Sequence, residues 1–572
     1  MDKTQPENKK AKILPFRQDV DFFLKRGAKE RDRNDLLAAV QRYRQAYHSD
    51  PADLDSCLAL SEVLSQMQRY EESNRLLLVD MSMNDPDPES YFGLACNYYG
   101  MHEYAYAKES LETYLELDPE GFYAYDAMDF LDLLEDPNEL METVGVAQDE
   151  SLETLTVCQR ARHATERGDL AQAAALLEAH LARVPTALRA KNQLAVVCYC
   201  MGNKARALAL SGEVLSADPN DIQARCNQTL FLCMGEDAQS TQVQEALDAL
   251  QQLRPEEPDE LASISLLQLE FGRYAAAQET LQRLWQYMPY DENVIHRMGY
   301  CRYLQGDVEG AQSCYRRLLR IDPDDTVARY YLNACRKYDA KAHARHWQLP
   351  YRVPLGETFR RFQQINTLLD EPQAEIVRRW REDRATRNLL LWALTMQDQR
   401  SKSAILHLVA GMQDAEAERA LRDFLLRTDQ PDGAKREALA LLTRMQAREP
   451  FMAYLDGQWV QGRVSALELP KKLPAAYEGI LQLLAAHLLP DCTEEVLLAT
   501  AGIIRRYLAA VDGHYPRISA NQQHSFAAAL ELLGRQQAGE QPDEEAIARK
   551  YRVSLLRLHN AVQKFAPYRE EP

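Results

Sequence analysis

The chain has 572 residues, 86 acidic against 67 basic, for a formal net charge of −19. That length exceeds one hydrophobic core and predicts several domains, and a 46% hydrophobic content lets each be globular. The acidic balance argues against non-specific nucleic-acid binding as the main activity and favours solubility or a basic partner.

Residues 1–17 are polar and lysine-bearing with no apolar run, so a disordered lead-in is expected and not a signal peptide. No stretch approaches 18 uninterrupted apolar residues, which predicts no membrane span and leaves the cytoplasm as the default location. The eleven cysteines are scattered, and Cys96, Cys158, Cys226, Cys233, Cys301 and Cys314 fall inside apolar helical runs. There is no C-x-x-C, and the pattern reads as buried free thiols in a reducing compartment.

From about residue 18 to residue 338 a proline recurs every 34 residues or so. Pro185, Pro219, Pro255, Pro289 and Pro323 follow Pro51, Pro86 and Pro119. Each unit reads as two amphipathic helices. In the unit closing at Pro119, Tyr91, Leu94, Ala95 and Tyr98 form one stripe at helical spacing. A turn near Gly100 follows, and Ala107, Leu111 and Tyr114 line the second helix. The same layout precedes Pro323, with Met298, Gly299, Gly306, Ala311, Tyr315 and Leu318. A 34-residue period of paired helices with a closing proline predicts a solenoid whose units bury their core between neighbours.

These units resemble the tetratricopeptide repeat family over roughly 320 residues. The large aromatic expected early in each first helix is usually replaced, for example by Lys191 and Arg225. The unit after Asn220 carries an insertion near Glu236, and the stretch 122–150 is degenerate, with Asp136-Pro137 breaking its second helix. The expected organisation is a first lobe over 18–150, a hinge, and a second lobe over 151–338 ending in a capping helix at Thr326–Lys337.

Charge is uneven. Residues 54–135 hold 18 acidic side chains against Arg69, Arg75 and Lys108, and are rich in tyrosine and phenylalanine. The resemblance implies that Phe92 and Tyr99, with Asp55, Glu62 and Glu89, lie on the stripe lining the concave groove. An acidic groove with aromatic shelves suits a Lys/Arg-rich peptide through ion pairing and cation–π contacts. The alternative is a solvated acidic face with no specific ligand. The lysine–asparagine clamp that family members use for C-terminal carboxylates is absent from the first lobe, and Arg189 and Asn192 are too few to supply it in the second.

Beyond the repeats, His343 and His346 are an i, i+3 pair without a third ligand, so no metal is expected. Residues 339–465 read as irregular helical pairs resembling HEAT-type repeats, with one hairpin signal at Tyr454–Gly462. Residues 341–387 carry a net charge of +4. Residues 466–572 read as a helical bundle. Its final pair spaces Ala548, Val553 and Leu558 as a helix-turn-helix spaces its buried positions. Arg552, Arg557, Asn560 and Lys564 are the candidate nucleic-acid contacts there. Leu555 and Leu556 stand where polar base-reading residues belong, which favours a structural role.

No phosphate-binding, dinucleotide, zinc-protease or serine-hydrolase signature occurs. The sequence thus predicts an all-α protein, a helical solenoid followed by irregular helices and a bundle. Its predicted function is a non-catalytic, cofactor-free interaction scaffold. The rival is a transcription-associated regulator that binds DNA through its C-terminal pair and senses a peptide through its repeats.

Overall fold

The computed structural model describes residues 19–136, 151–233, 241–251, 255–337, 347–396, 399–455, 457–462, 473–488, 492–511 and 514–569, with Leu140 and Leu253. The expected hinge beyond Asp136, the insertion near Glu236 and the His343/His346 pair lie outside these residues. Two compact units divide the chain, residues 1–376 and 377–572.

The first unit is a run of helical pairs. These are α1 (Val20–Arg31) with α2 (Leu36–Ser49), α3 (Leu54–Gln66) with α4 (Tyr70–Met83), and α5 (Pro88–Gly100) with α6 (Tyr104–Leu117). Helix α7 (Ala124–Glu135) follows. The run resumes with α8 (Leu152–Glu166) and α9 (Leu170–Arg183), α10 (Leu188–Cys200) and α11 (Lys204–Ala217), and α12 (Ile222–Cys233) and α13 (Thr241–Gln251). It ends with α14 (Pro258–Glu270) and α15 (Tyr274–Tyr287), α16 (Glu292–Leu304) and α17 (Val308–Ile321), and the expected capping helix α18 (Thr326–Arg336).

Aspartates start many of these helices. Asp19, Asp35, Asp53, Asp169, Asp291 and Asp325 each accept a hydrogen bond from a backbone N–H of the first turn. Such a cap contributes about 1 kcal/mol. Within a pair the helices close on a small residue. A Cβ on Gly27 would come within 2.4 Å of the Tyr43 ring, so only glycine lets α2 lie against α1 there.

First helices touch first helices along the stack, as α1 does α3, α3 does α5, α8 does α10 and α10 does α12. Second helices of successive pairs make no comparable contact with one another among the described elements. The first helices are therefore the closer-set, inner row. In addition, α2 packs on α17, far along the chain. One core cluster runs from Val40, Tyr43 and Leu60 to Leu281, Ile295 and Tyr315. At that junction the Arg44 Nε donates to the Ile321 carbonyl at 2.7 Å, across 277 residues. The Arg44 guanidinium also pairs with Glu72, which accepts from Arg69 Nε at 2.6 Å, and Arg69 reaches Glu292 at 3.2 Å. An irregular stretch, Trp347–Pro354, bent over residues 349–352 with the Arg352 N–H donating to the Pro350 carbonyl at 2.8 Å, leads to α19 (Leu355–Leu369).

Helix α20 (Gln373–Glu382) crosses the boundary between the units. The second unit continues with α21 (Arg384–Thr395), α22 (Gln399–Ala410), α23 (Ala415–Leu426) and α24 (Asp432–Arg444). The predicted hairpin is present: β1 (Phe451–Leu455) runs antiparallel to β2 (Gln458–Gly462), with Leu455 opposite Gln458 and Gly457 at φ +82°. It starts three residues earlier than the turn signal implies, because Phe451 and Ala453 are buried and β1 packs on α23 and α24. Then come α25 (Ala475–His487), α26 (Glu494–Val511), α27 (Ala520–Gln537), α28 (Glu544–Lys550) and α29 (Leu555–Phe565) around a shared core. The fold is all-α apart from the hairpin. Among the described residues no helix is long and apolar enough to cross a membrane.

Candidate peptide-binding groove

Helices α3, α5 and α7 present their inner faces side by side. Glu89 lies in the first turn of α5, and its carboxyl is pushed above the usual range by partial burial, then by the neighbouring Asp87, Asp55 and Asp118. Those carboxylates are near enough to Glu89 to act on its charge. Phe92, one turn further along α5, stacks on Tyr123 with ring centroids 4.4 Å apart and planes 4° from parallel. The Tyr123 hydroxyl is pushed up by burial and then by Glu89 and Glu62. Glu62, Glu89 and Phe92 are therefore drawn together around Tyr123, with Asp55 near Glu89.

Tyr123 was not singled out as a site residue from the sequence, since it lies in the degenerate stretch after Pro119. Its place is set locally. Its backbone N–H donates to the Tyr114 hydroxyl at 2.9 Å. A Cβ on Gly121 would meet Asp118 Oδ2 at 2.4 Å and the Tyr114 hydroxyl at 2.5 Å, so the turn that delivers the ring needs glycine.

Two predicted members behave differently from expectation. Glu62 is ion-paired with Arg31 of α1, which takes up part of its charge. Tyr99 joins a separate aromatic set, edge-on to Phe130 at 5.1 Å and to Tyr104 at 5.9 Å. Of the basic residues in the acidic stretch, Arg69 is held by Glu72 and Glu292 and Lys108 by Glu135, all carboxylates outside the Glu89 set. Beside the groove Phe122 and Tyr125 are 83% and 81% exposed, an apolar rim next to the acidic floor. In the second lobe Asn192 Nδ2 donates to both Asp221 carboxylate oxygens at 3.1 Å, a structural use that leaves it no clamp role.

In the second unit Ala548 and Leu558 are buried as the helix-turn-helix spacing predicts, while Val553 is half-buried. Arg552 holds the turn between α28 and α29 at φ +56°, where that motif commonly has glycine. Arg557 and Asn560 are exposed on α29. Lys564 Nζ sits 4.5 Å over the Phe526 ring and 5.7 Å over Tyr507, so its charge is already engaged within the bundle. Leu556 is 71% exposed at the start of the same helix.

Residues 268–334 match the family model described as tetratricopeptide repeat. The chain is 27% identical over 317 residues to the TPR repeat-containing protein YvcD of Bacillus subtilis (strain 168), a match that covers 55% of this chain and 64% of that protein. Thus less than two thirds of that relative is spanned. Among solved structures, the thermophilic TPR protein TTC0263 of Thermus thermophilus is similar at 14% identity, covering 32% of this chain and all of that one, with a TM-score of 0.27. A tetratricopeptide repeat protein from Parabacteroides merdae ATCC 43184 is similar at 12% identity over 56% of this chain and all of that one, with a TM-score of 0.22.

Proposed function

The solenoid is a tetratricopeptide repeat array, an architecture that serves protein–protein interaction, and on that premise we propose that the protein holds a Lys/Arg-rich segment of a partner along the inner face of α3, α5 and α7. The observation that carries this reading is the parallel Phe92–Tyr123 stack beside Glu89, whose pKa is raised by partial burial and then by the neighbouring Asp87, Asp55 and Asp118. A bound ammonium or guanidinium relieves that mutual repulsion. The ring faces add cation–π attraction of about 0.5–1 kcal/mol at a partly exposed site. Asp55 and Glu89 supply the charge, Phe92 and Tyr123 the shelf, and Tyr99 a second aromatic contact further along α5.

A cation lowers the Glu89 pKa on binding, so association releases a proton. Affinity therefore falls as pH drops through the carboxylate range and also falls with added salt. The test is titration of the full chain with a fluorescent Lys/Arg-rich peptide. Removing both charges with Asp55→Asn and Glu89→Gln is expected to weaken binding about tenfold, near the upper end of two exposed pairs. An unchanged affinity would exclude this groove. DNA binding by α29 is a weaker reading, because Lys564 is spent on aromatic rings and the exposed tip is leucine.

A further inference from the structure

The inner stripe that carries Phe92 and Tyr99 on α5 recurs on α16. Measured from the closing prolines Pro119 and Pro323, Phe92 corresponds to His296, Cys96 to Tyr300 and Tyr99 to Tyr303. On α5 this stripe is half-exposed. On α16 it is covered by another part of the chain. Trp347, only 8% exposed, stacks on Tyr303 with centroids 4.2 Å apart and planes 19° from parallel, and packs against Tyr331 at 4.7 Å and Tyr300 at 6.0 Å.

The stretch from Trp347 to Val353 is held as a ligand is held. It is neither helix nor strand, and Pro350 and Pro354 keep it from becoming a helix. Two of its backbone carbonyls are read by solenoid side chains. Gln348 O lies 2.7 Å from His296 Nε2, and Arg352 O accepts from the Tyr331 hydroxyl at 2.7 Å. The Tyr315 hydroxyl, 3.0 Å from His296 Nδ1, orients that imidazole from behind. One side chain is read as well, the Tyr351 hydroxyl donating to Asp325 at the start of α18. Main-chain bonds combined with pockets for spaced side chains are a usual means of peptide recognition.

We propose that the inner face of α16–α18 is a second peptide site, filled in cis by Trp347–Val353, and that it accepts in trans a bent, non-helical partner segment with two aromatic residues flanking a proline, as in Trp347-Gln-Leu-Pro-Tyr351. A connector of about ten residues joins the segment to α18, so the cis occupant competes at an effective concentration in the millimolar range. A partner must displace it, which makes this site selective where the acidic groove is open. The proposal stands apart from the acidic groove: its ligand is aromatic and nearly uncharged, and its failure leaves Asp55 and Glu89 untouched.

The test uses the full chain and a labelled peptide with the sequence of residues 347–354. The variant Trp347→Ala/Tyr351→Ala empties the site and is expected to bind the peptide saturably and at least tenfold more tightly than the native chain. Adding His296→Ala to that variant should remove the gain. A folded double variant that does not bind the peptide, or a native chain that binds it equally well, overturns the proposal and makes the segment a fixed cap. Should the double variant not fold, Tyr351→Phe removes only the hydroxyl bond to Asp325. It is expected to bind the peptide severalfold better than the native chain, and no difference overturns the proposal.

Discussion

Glu72→Gln tests the junction that joins the first repeats to the last. Glu72 accepts from Arg44 and from Arg69, while Arg44 also holds the Ile321 carbonyl and Arg69 reaches Glu292. The side chains of Arg44, Glu72 and Arg69 retain 13%, 21% and 17% exposure. Neutralising Glu72 leaves two guanidinium groups facing one carboxamide. Removing one member of a fully buried pair costs about 3–5 kcal/mol; with residual solvent at all three groups, about 2–3 kcal/mol is expected. Repeat arrays need not unfold in one step, so hydrogen exchange of α2 and α17 in the full chain is the fitting assay. The expected rise in exchange there is about 30- to 150-fold. Paired with Arg44→Gln, the variant should show a coupling of about 1–2 kcal/mol. Exchange within a factor of two of native, with no coupling, would refute the argument. pH supplies an independent check. The two guanidinium groups outweigh burial and hold the Glu72 carboxyl well below the usual range. Its contribution is thus present above the unfolded pKa of about 4.3 and is lost as pH falls from there toward the folded value.

His296 gives a pH effect in a higher window. Burial lowers its pKa from 6.5 to about 4, so the unfolded chain binds a proton that the folded one refuses. Stability in this region is complete above about pH 6.5 and declines by about 3 kcal/mol as pH falls to 4. Urea unfolding at pH 7 and pH 5 should show the decline, and His296→Gln should flatten it. Arg552 occupies the left-handed region at φ +56°, a conformation that costs a residue with a Cβ about 1 kcal/mol. Arg552→Gly is therefore expected to raise the thermal midpoint of the second unit slightly, and a lowered midpoint would show that the Arg552 side chain contributes more than its backbone strain.

How far the sequence foretold the molecule depends on the range of each signal. The pairs are local, and their 34-residue period, turn glycines and closing prolines mark them well. Helices such as Leu355–Leu369 and Ala415–Leu426 are present where residues 339–465 read as helical. Asp-Gly marked the hairpin turn, yet only burial against α23 and α24 tells how far back β1 extends. The capping aspartates were visible but unread, since one Asp before an apolar run is common. The packing of α2 on α17 had no local signal at all: Arg44 looks like any surface arginine until Ile321 arrives from 277 residues away. Likewise Tyr123 sat in a stretch that looked degenerate, and its role depends on Gly121 and Tyr114.

One repeat position serves different ends in different units, and that difference bears on the proposed binding surface. The sequence already favours the stripe of residues 54–135 by its acidic and aromatic content, but it does not show what occupies the same stripe in the other units. In α10, Asn192 is spent on Asp221. In α16, His296 and Tyr303 are spent on the chain's own Trp347 segment. On α5 the stripe meets Tyr123 and a cluster of carboxylates that repel one another. A surface whose groups repel has the most to gain from an incoming cation, whereas a surface already paired must first give something up. On the two proposals made above, this asymmetry along an otherwise repetitive array makes the α3–α5–α7 face the open site and the α16–α18 face one reached only by competition.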